Sequence, residues 1–340
     1  MSRAQMKRQT EPVSPQRLWD DLWAAGRTYA LKAAIDLDVF TAIAERKKTA
    51  ADIAKAVNAS RRGVECLLDL LVGLGHLMKK ANEYVLTPAS DAFLVRTGPS
   101  YLGNFANQTP LELPGWESTT EIIRTGRRVT AVDTEQGREF FPQLVRAIFP
   151  VSYNAGRSLV QVFPQAKLKN IRRVLDVAAG TAAWSLPFAQ AVPGARVTVV
   201  DYPEVTPVAR EYAERLGAGD RYDYLEGNLR QIDFGQKAYD VVILGHIIHS
   251  EGEKWGKDLI KRSFRALTPG GTLVIAEMIP NDTRTGPVFP LLFALNMILH
   301  TNEGNVFTLK EYRQWLKQAG FTAIRTVKTP NPSPVILATR

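Results

Sequence analysis

VLDVAAGTAAW, residues 174–184, is the stretch on which the fold turns. An apolar run reaches an acid, Asp176, then small residues, then what reads as the start of a helix. This is the shape of a nucleotide-binding turn, yet only Gly180 stands where two or three glycines are usual. A dinucleotide site wants G-x-G-x-x-G, because a pyrophosphate must approach the backbone closely at a helix N-terminus. The register from Ala178 reads AAGTAA, with alanines at the first and last glycine positions, and no G-K-[ST] follows to make a phosphate-binding loop.

Outward from this turn, strands alternate with helices. RRVLDVA, RVTVVDY, YDYLEG, YDVVILG and GTLVIAE are short runs with the continuous apolar character of parallel strands buried on both faces. AAWSLPFAQAV, PEVTPVAREYAERL and KDLIKRSFRAL separate most of them as helices, and LKEYRQWLKQAG leads to two more apolar runs, FTAIRTVKT and PVILATR. The pattern predicts a doubly wound α/β sheet over 161–340, whose ligands bind beyond the carboxyl ends of the strands.

The first 110 residues read differently. Apolar residues three and four apart predict helices over residues 18–45, 49–57 and 60–74, with Thr49 and Ser60 as N-caps and Gly75 as a helix end. LMKKANEYVLT then predicts a hairpin turning at Ala81–Asn82. Helix, helix, helix, hairpin is the layout of a winged helix. Its third helix begins with Arg61 and Arg62 but is otherwise mostly apolar, which favours a face buried against another subunit over one that reads DNA. Residues 111–160 are expected to be a helical connector.

The carboxyl ends of the strands hold the chemistry. The first ends at Asp176 and its loop, and the second at Asp201, placed to accept ribose hydroxyls. The third ends at Gly227 and Asn228, the fourth at LGHIIHS and the fifth at Glu277. Strands four and five are expected to be neighbours, so His249 and Glu277 converge on one crevice. A Gly-poor first turn suits a cofactor without a pyrophosphate. S-adenosylmethionine, adenosine carrying an amino-acid tail, is of that kind.

At this point the chain, from ALKAAIDLDVFTAIAE to FTLKEYRQWLKQAGF, resembles the class I S-adenosylmethionine-dependent O-methyltransferases with an N-terminal winged-helix dimerisation domain. Plant phenolic methyltransferases, acetylserotonin methyltransferase and bacterial secondary-metabolite enzymes are of this family. The resemblance implies a Rossmann-like methyltransferase sheet, a homodimer built through the N-terminal domain, and S-adenosylmethionine as cofactor with no metal. It places the cofactor contacts on Asp176, Ala178, Gly180, Asp201, Tyr202, Asn228, Leu229, Gly245 and His246. The catalytic histidine falls on His249 and the carboxylate that positions it on Glu277. The family's second catalytic acid falls near Val306, so that role is unfilled or passes to Glu303, and the DW after the histidine becomes Ser250 and Glu251. Phe149, Tyr153, Phe293, Asn296, Met297 and His300 are candidates for the substrate wall, with core packing as the alternative for each.

Histidine suits the reaction because its free pKa lies near working pH, and a neighbouring carboxylate favours the imidazolium that forms as a hydroxyl is deprotonated. The altered histidine block leaves carbon methylation, or cofactor-assisted chemistry without methyl transfer, as alternatives. A ligand-sensing DNA-binding protein is a third. Cβ atoms at Ala178 and Ala182 are expected to narrow the space around the methionine tail and weaken cofactor binding.

Composition excludes other classes. The chain has 340 residues, 45% of them hydrophobic, enough for two cores. One cysteine, Cys66 in GVECLLDLL, allows neither an internal disulfide nor a cysteine metal cluster and reads as a small buried hydrophobe. Four histidines show no metal-ligand spacing. The formal charge of +9 comes from scattered basic residues without interleaved aromatics, a solvated surface and not a nucleic-acid site. MSRAQMKRQTEPVSPQRL lacks a signal-peptide core, and VFPLLFALNMIL, 288–299, is too short to span a membrane and reads as a buried helix. A cytoplasmic protein acting on a small molecule, with no nucleic-acid or membrane partner, is the expectation.

Overall fold

Alternate residues of the strands in the second half feed two separate cores, one on each face of a single sheet. Val174, Val197, Val199, Val241, Ile243, Val274 and Leu337 pack into one core. Leu175, Val177, Val200, Val242, Leu244, Ile275 and Ile336 pack into the other. This is why the strands read as unbroken apolar runs. The computed structural model describes residues 13–128, 132, 140–330 and 334–340. The signal-peptide reading therefore lies, through residue 12, outside the described residues. The chain divides between Ala106 and Asn107 into two compact units.

The first unit holds helices α1 (Gln16–Leu22), α2 (Ala24–Asp36), α3 (Val39–Ala44), α4 (Ala50–Ala56) and α5 (Arg61–Gly73), the hairpin β1 (Leu77–Lys80) with β2 (Glu83–Leu86), and α6 (Pro88–Leu94). Thr49 Oγ1 accepts the Asp52 N–H, and Ser60 Oγ accepts the Gly63 N–H at 3.1 Å. Gly75 takes φ +78 just beyond α5, the left-handed stop that glycine supplies without strain. Phe40, Ile53, Leu68, Leu71 and Tyr84 centre the core. Cys66 is exposed, against the expectation that it is buried. The buried residues of α5 are Val64, Leu68 and Leu71, and position 66 lies on the opposite face. Leu18, Trp19 and Leu22 on α1, and Trp23 just after it, are exposed as well.

The second unit opens with α7 (Thr109–Glu117), α8 (Thr119–Thr125), α9 (Phe141–Val162) and the short α10 (Gln165–Leu168). Residues 111–160 thus fall within the unit of the sheet, and α9 buries Phe149, Ala155, Leu159 and Val160 in its core. The strands are β3 (Arg173–Val177), β4 (Arg196–Asp201), β5 (Tyr222–Glu226), β6 (Tyr239–Gly245), β7 (Leu267–Ala276), β8 (Thr322–Val327) and β9 (Val335–Thr339). Between them come α11 (Leu186–Ala191), α12 (Thr206–Arg215), α13 (Ile248–Ala266), α14 (Val288–His300) and α15 (Leu309–Ala319). The sheet order is β5-β4-β3-β6-β7-β9-β8, with β9 antiparallel to both its neighbours. The winding reverses between β3 and β6, so a crevice opens above their carboxyl ends.

Two departures bear on function. α11 starts at Leu186, four residues later than AAWSLPFAQAV suggested, leaving 178–185 as an irregular loop. α14 is only half buried: Pro290, Met297, Leu299 and His300 are covered, while Val288, Phe289, Leu292 and Ile298 are exposed. Its sequence is apolar on every side, so sequence periodicity could not show which face lacks a partner. Among the described residues no helix is long and apolar enough to cross a membrane.

Candidate active site

The loop after β3 carries three left-handed residues in alternation: Ala178 (φ 54), Gly180 (φ 59) and Ala182 (φ 57). The left-handed positions therefore fall at 178, 180 and 182, and not in the G-x-G-x-x-G register ending at residue 183. Gly180 is fixed twice over, since a Cβ there would lie 2.9 Å from Val145 Cγ1 on α9. Alanine tolerates this backbone region poorly because its Cβ crowds the following carbonyl. Ala178 retains exposed surface, whereas Ala182 is fully buried, so any narrowing of the crevice falls to Ala178 alone. Ala178→Gly should raise stability by about 1 kcal/mol, or roughly 2–4 °C in Tm. Ala182→Gly should be close to neutral, because losing a buried methyl costs about the same amount. Thermal melts of the two variants check this, and equal shifts would contradict it.

Asp201, ending β4, binds the loop to its own strand. Its Oδ2 accepts the Gly180 N–H at 2.8 Å and its Oδ1 accepts the Tyr202 N–H at 2.8 Å. Burial pushes its carboxyl up to about 6, against the pull of those two amides. Asp176 is 1% exposed. Burial pushes its carboxyl up to about 7, with the charge of Asp201 adding to the effect and hydrogen bonds from Ser185 opposing it. Beyond β5, Asn228 Oδ1 accepts the Arg230 N–H at 2.9 Å, and Leu229 is buried. Arg230 in turn pairs with buried Glu251 at 2.7 Å, a tie between the loop and α13 that the sequence did not reveal.

At the end of β6, Gly245 leads into His246, which holds φ 61 while its N–H donates to the Ala276 carbonyl. Strained backbone of this kind gathers at functional sites. His249 lies in the first turn of α13, and its Nδ1 is 2.7 Å from Glu277 Oε2. Glu277 is fully buried just past β7, and its Oε1 accepts the N–H groups of Ile248 at 2.7 Å and His249 at 3.2 Å. Burial alone would raise its carboxyl. The charge and hydrogen bond of His249, then the charge of His246, outweigh burial and hold it below the usual range. An ionised carboxylate at Nδ1 makes that nitrogen the N–H and leaves Nε2 as the acceptor. One turn on, Gly252 breaks α13 with φ 73, and a Cβ there would lie 2.3 Å from the Glu303 carbonyl oxygen.

The expected wall residues separate. The Phe293 ring stands edge-on to His249 at 4.9 Å and stacks with Phe289 at 6.1 Å. Asn296 has a buried Oδ1 with no hydrogen-bond partner. Met297 is buried. Phe149 and Tyr153 stack on one another, Phe149 meets Tyr212 and the Tyr153 hydroxyl meets Gln190, which is core packing. His300 has both ring nitrogens on carbonyls, those of Asn296 and Glu112, and so ties α14 to α7. Val306 is buried, and Glu303 lines an outer cavity of about 600 Å³ with Glu253, Lys254, Lys257, Asp258 and Lys261. No metal-ligand spacing is visible in the sequence. Even so, the fold gathers ligand atoms of His246, His249 and Glu277 within 4.8 Å of one another, a group able to hold a metal ion. Both oxygens of Glu277 are already engaged by His249 and the two amides, the geometry of a base with its orienting acid.

A family model described as an O-methyltransferase domain matches residues 145–322, and one described as an O-methyltransferase dimerisation domain matches residues 25–96. The chain is 30% identical over 319 residues to the tetracenomycin polyketide synthesis 8-O-methyl transferase TcmO of Streptomyces glaucescens, covering 91% of each. It is 29% identical over 325 residues to the 3-hydroxy-5-methyl-1-naphthoate 3-O-methyltransferase of Streptomyces sahachiroi, covering 94% of this chain and 92% of the other. Human N-acetylserotonin methyltransferase, solved in complex with SAM, superposes with a TM-score of 0.82 at 25% identity, over 97% of this chain and 99% of that one.

Proposed function

The chain belongs to the S-adenosylmethionine-dependent O-methyltransferase family, and from that premise we propose that it methylates a hydroxyl of a small, aromatic, polyketide-like metabolite with His249 as general base. The observation that carries this reading is the 2.7 Å contact between His249 Nδ1 and buried Glu277, which leaves Nε2 to take a proton beside the Phe293 ring. S-adenosylmethionine, when bound, supplies an electrophilic methyl on a sulfonium. His249 accepts the hydroxyl proton as the oxygen attacks, and Glu277 stabilises the imidazolium while its second oxygen fixes the turn. Alignment of the acceptor against the exposed aromatic side of α14 supplies much of the remaining rate. The stacked Phe289 and Phe293 suit a flat ring, and the buried, unpartnered Oδ1 of Asn296 is an acceptor for a second hydroxyl. Two relatives whose names specify a polyketide and a naphthoate support the same substrate class.

The residues present fit the cofactor. Asp201, at the end of β4, would accept the ribose hydroxyls, and Tyr202, Asn228 and Leu229, just past the ends of β4 and β5, would hold the adenine. Asp176, Ala178, Gly180, Gly245 and His246, at the ends of β3 and β6, would take the tail. The dimerisation-domain match and the exposed Trp19 of α1 and Trp23 just after it support a homodimer through the first unit.

The test is calorimetric titration with S-adenosylhomocysteine. Asp176 and Asp201 are both raised from 3.8. The stability they contribute is therefore full below that value and is lost as pH rises through 6 and 7. Hydroxyls donated to Asp201 favour its ionised form, so binding at pH 6 should release protons and tighten as pH rises to 7.5. Titrations in two buffers of different ionisation heat measure the release. Absence of sub-millimolar binding would sink the cofactor reading, and affinity that fails to rise between pH 6 and pH 7.5 would contradict ionised carboxylates as its ligands.

A further inference from the structure

Trp184 closes the loop that began at Ala178, and by its sequence context it reads only as an apolar residue of a helix. Its side chain is 4% exposed, yet Nε1 has no hydrogen-bond partner. A buried indole N–H normally finds an acceptor. The place of that donor is well defined. A Cβ on Gly245 would fall 2.5 Å from Trp184 Cδ1 and 2.9 Å from Nε1, so the N–H edge lies against the carboxyl end of β6. The ring centroid is 5.8 Å from that of His246. Glycine at 245 and tryptophan at 184 are thus a matched pair, since any side chain on β6 there would displace the indole.

The other end of the loop presents the complementary atom. Asp176 Oδ2 is buried and likewise has no hydrogen-bond partner. One unmet acceptor and one unmet donor bracket the left-handed stretch 178–182, and a zwitterionic amino-acid group offers the opposite pair. We propose that Trp184 is a cofactor-binding residue whose indole N–H donates to the carboxylate of the methionine tail, with Asp176 taking the ammonium. This rests on the S-adenosylmethionine reading above. Asp201 and Asn228 end β4 and β5, on the far side of β3 from β6. An adenosine held there sends its tail over the β3 and β6 ends, where Trp184 lies.

Two probes separate the tail from the rest of the ligand: S-adenosylhomocysteine carries it, and 5′-methylthioadenosine lacks it. Trp184→Phe keeps a ring and deletes the donor. The expected result is about a tenfold rise in the Kd of S-adenosylhomocysteine, with methylthioadenosine binding changed less than twofold. In the wild-type chain, the indole resonance that is missing from the Trp184→Phe spectrum should move on adding S-adenosylhomocysteine and stay in place with methylthioadenosine. That second measurement does not depend on how well the variant packs. Equal losses for both ligands, or no loss for either, would overturn the proposal while leaving the cofactor reading intact. Failure of the wild-type chain to bind S-adenosylhomocysteine would end both.

Discussion

His249→Ala is expected to lower methyl transfer by about 10²–10⁴-fold, the usual span of a positioned general base, while the Kd of S-adenosylhomocysteine stays within threefold. The assay uses labelled S-adenosylmethionine with an acceptor found among hydroxylated naphthoates and related phenols. The separation of the two effects follows from position. In the proposed reaction His249 reaches the acceptor through Nε2 and packs on Phe293, whereas the proposed cofactor ligands are other residues, on the loop after β3 and at the ends of β4, β5 and β6. Methyl transfer that survives nearly intact would remove the base and favour carbon methylation or chemistry without methyl transfer.

Glu277→Gln should be nearly as severe, for a reason visible in a second measurement. The amide keeps the shape of the carboxylate but not its charge, so the imidazolium formed during transfer loses its counter-ion, and turnover should fall about 10²-fold. The variant should also be less stable by about 2 kcal/mol near neutral pH, because the hydrogen bonds from His249 and the two amides lose their ionised acceptor. The Glu277 carboxyl is held below its usual 4.5 in the folded chain. Its contribution is therefore present above that pH and is lost as pH falls through the folded value. The gap in Tm between wild type and variant should thus be large at pH 7 and shrink toward pH 4. A gap independent of pH would mean that Glu277 acts through packing alone.

The sequence carried the sheet because its physics is local. A strand buried on both faces must be apolar throughout, and β3, β4, β6 and β7 read that way without any knowledge of their neighbours. Asp201 and Glu277 could be placed at or just past strand ends for the same reason, and His249 one helical turn beyond. What escaped was set by contacts between distant segments. Phe149 and Phe293 are equally plausible wall residues in a list, but one meets Tyr212 and the other meets His249. Cys66 and the open side of α14 lie on faces whose partners no periodicity can name. Trp184 was hidden because AAW continues into SLPFAQAV as an apolar run that resembles a helix, and the left-handed alternation at 178, 180 and 182 shows only in the backbone. The Arg230–Glu251 pair joins residues twenty-one positions apart, with no pattern linking them.

Gly252 divides α13 into two pieces held by separate contacts. The turn bearing His249 is pinned by Glu277 at one end, and the His249 carbonyl accepts the Asn305 N–H at 2.8 Å. The body beyond follows its own phase, with Gly256, Leu259, Ile260 and Ser263 buried. Because the left-handed residue takes up the difference in phase, the first turn is set by Glu277 and by the Glu251–Arg230 pair, independently of how the body packs. The break works as a mechanical joint: the first turn takes its position from contacts on its own side, and the body packs by a separate set.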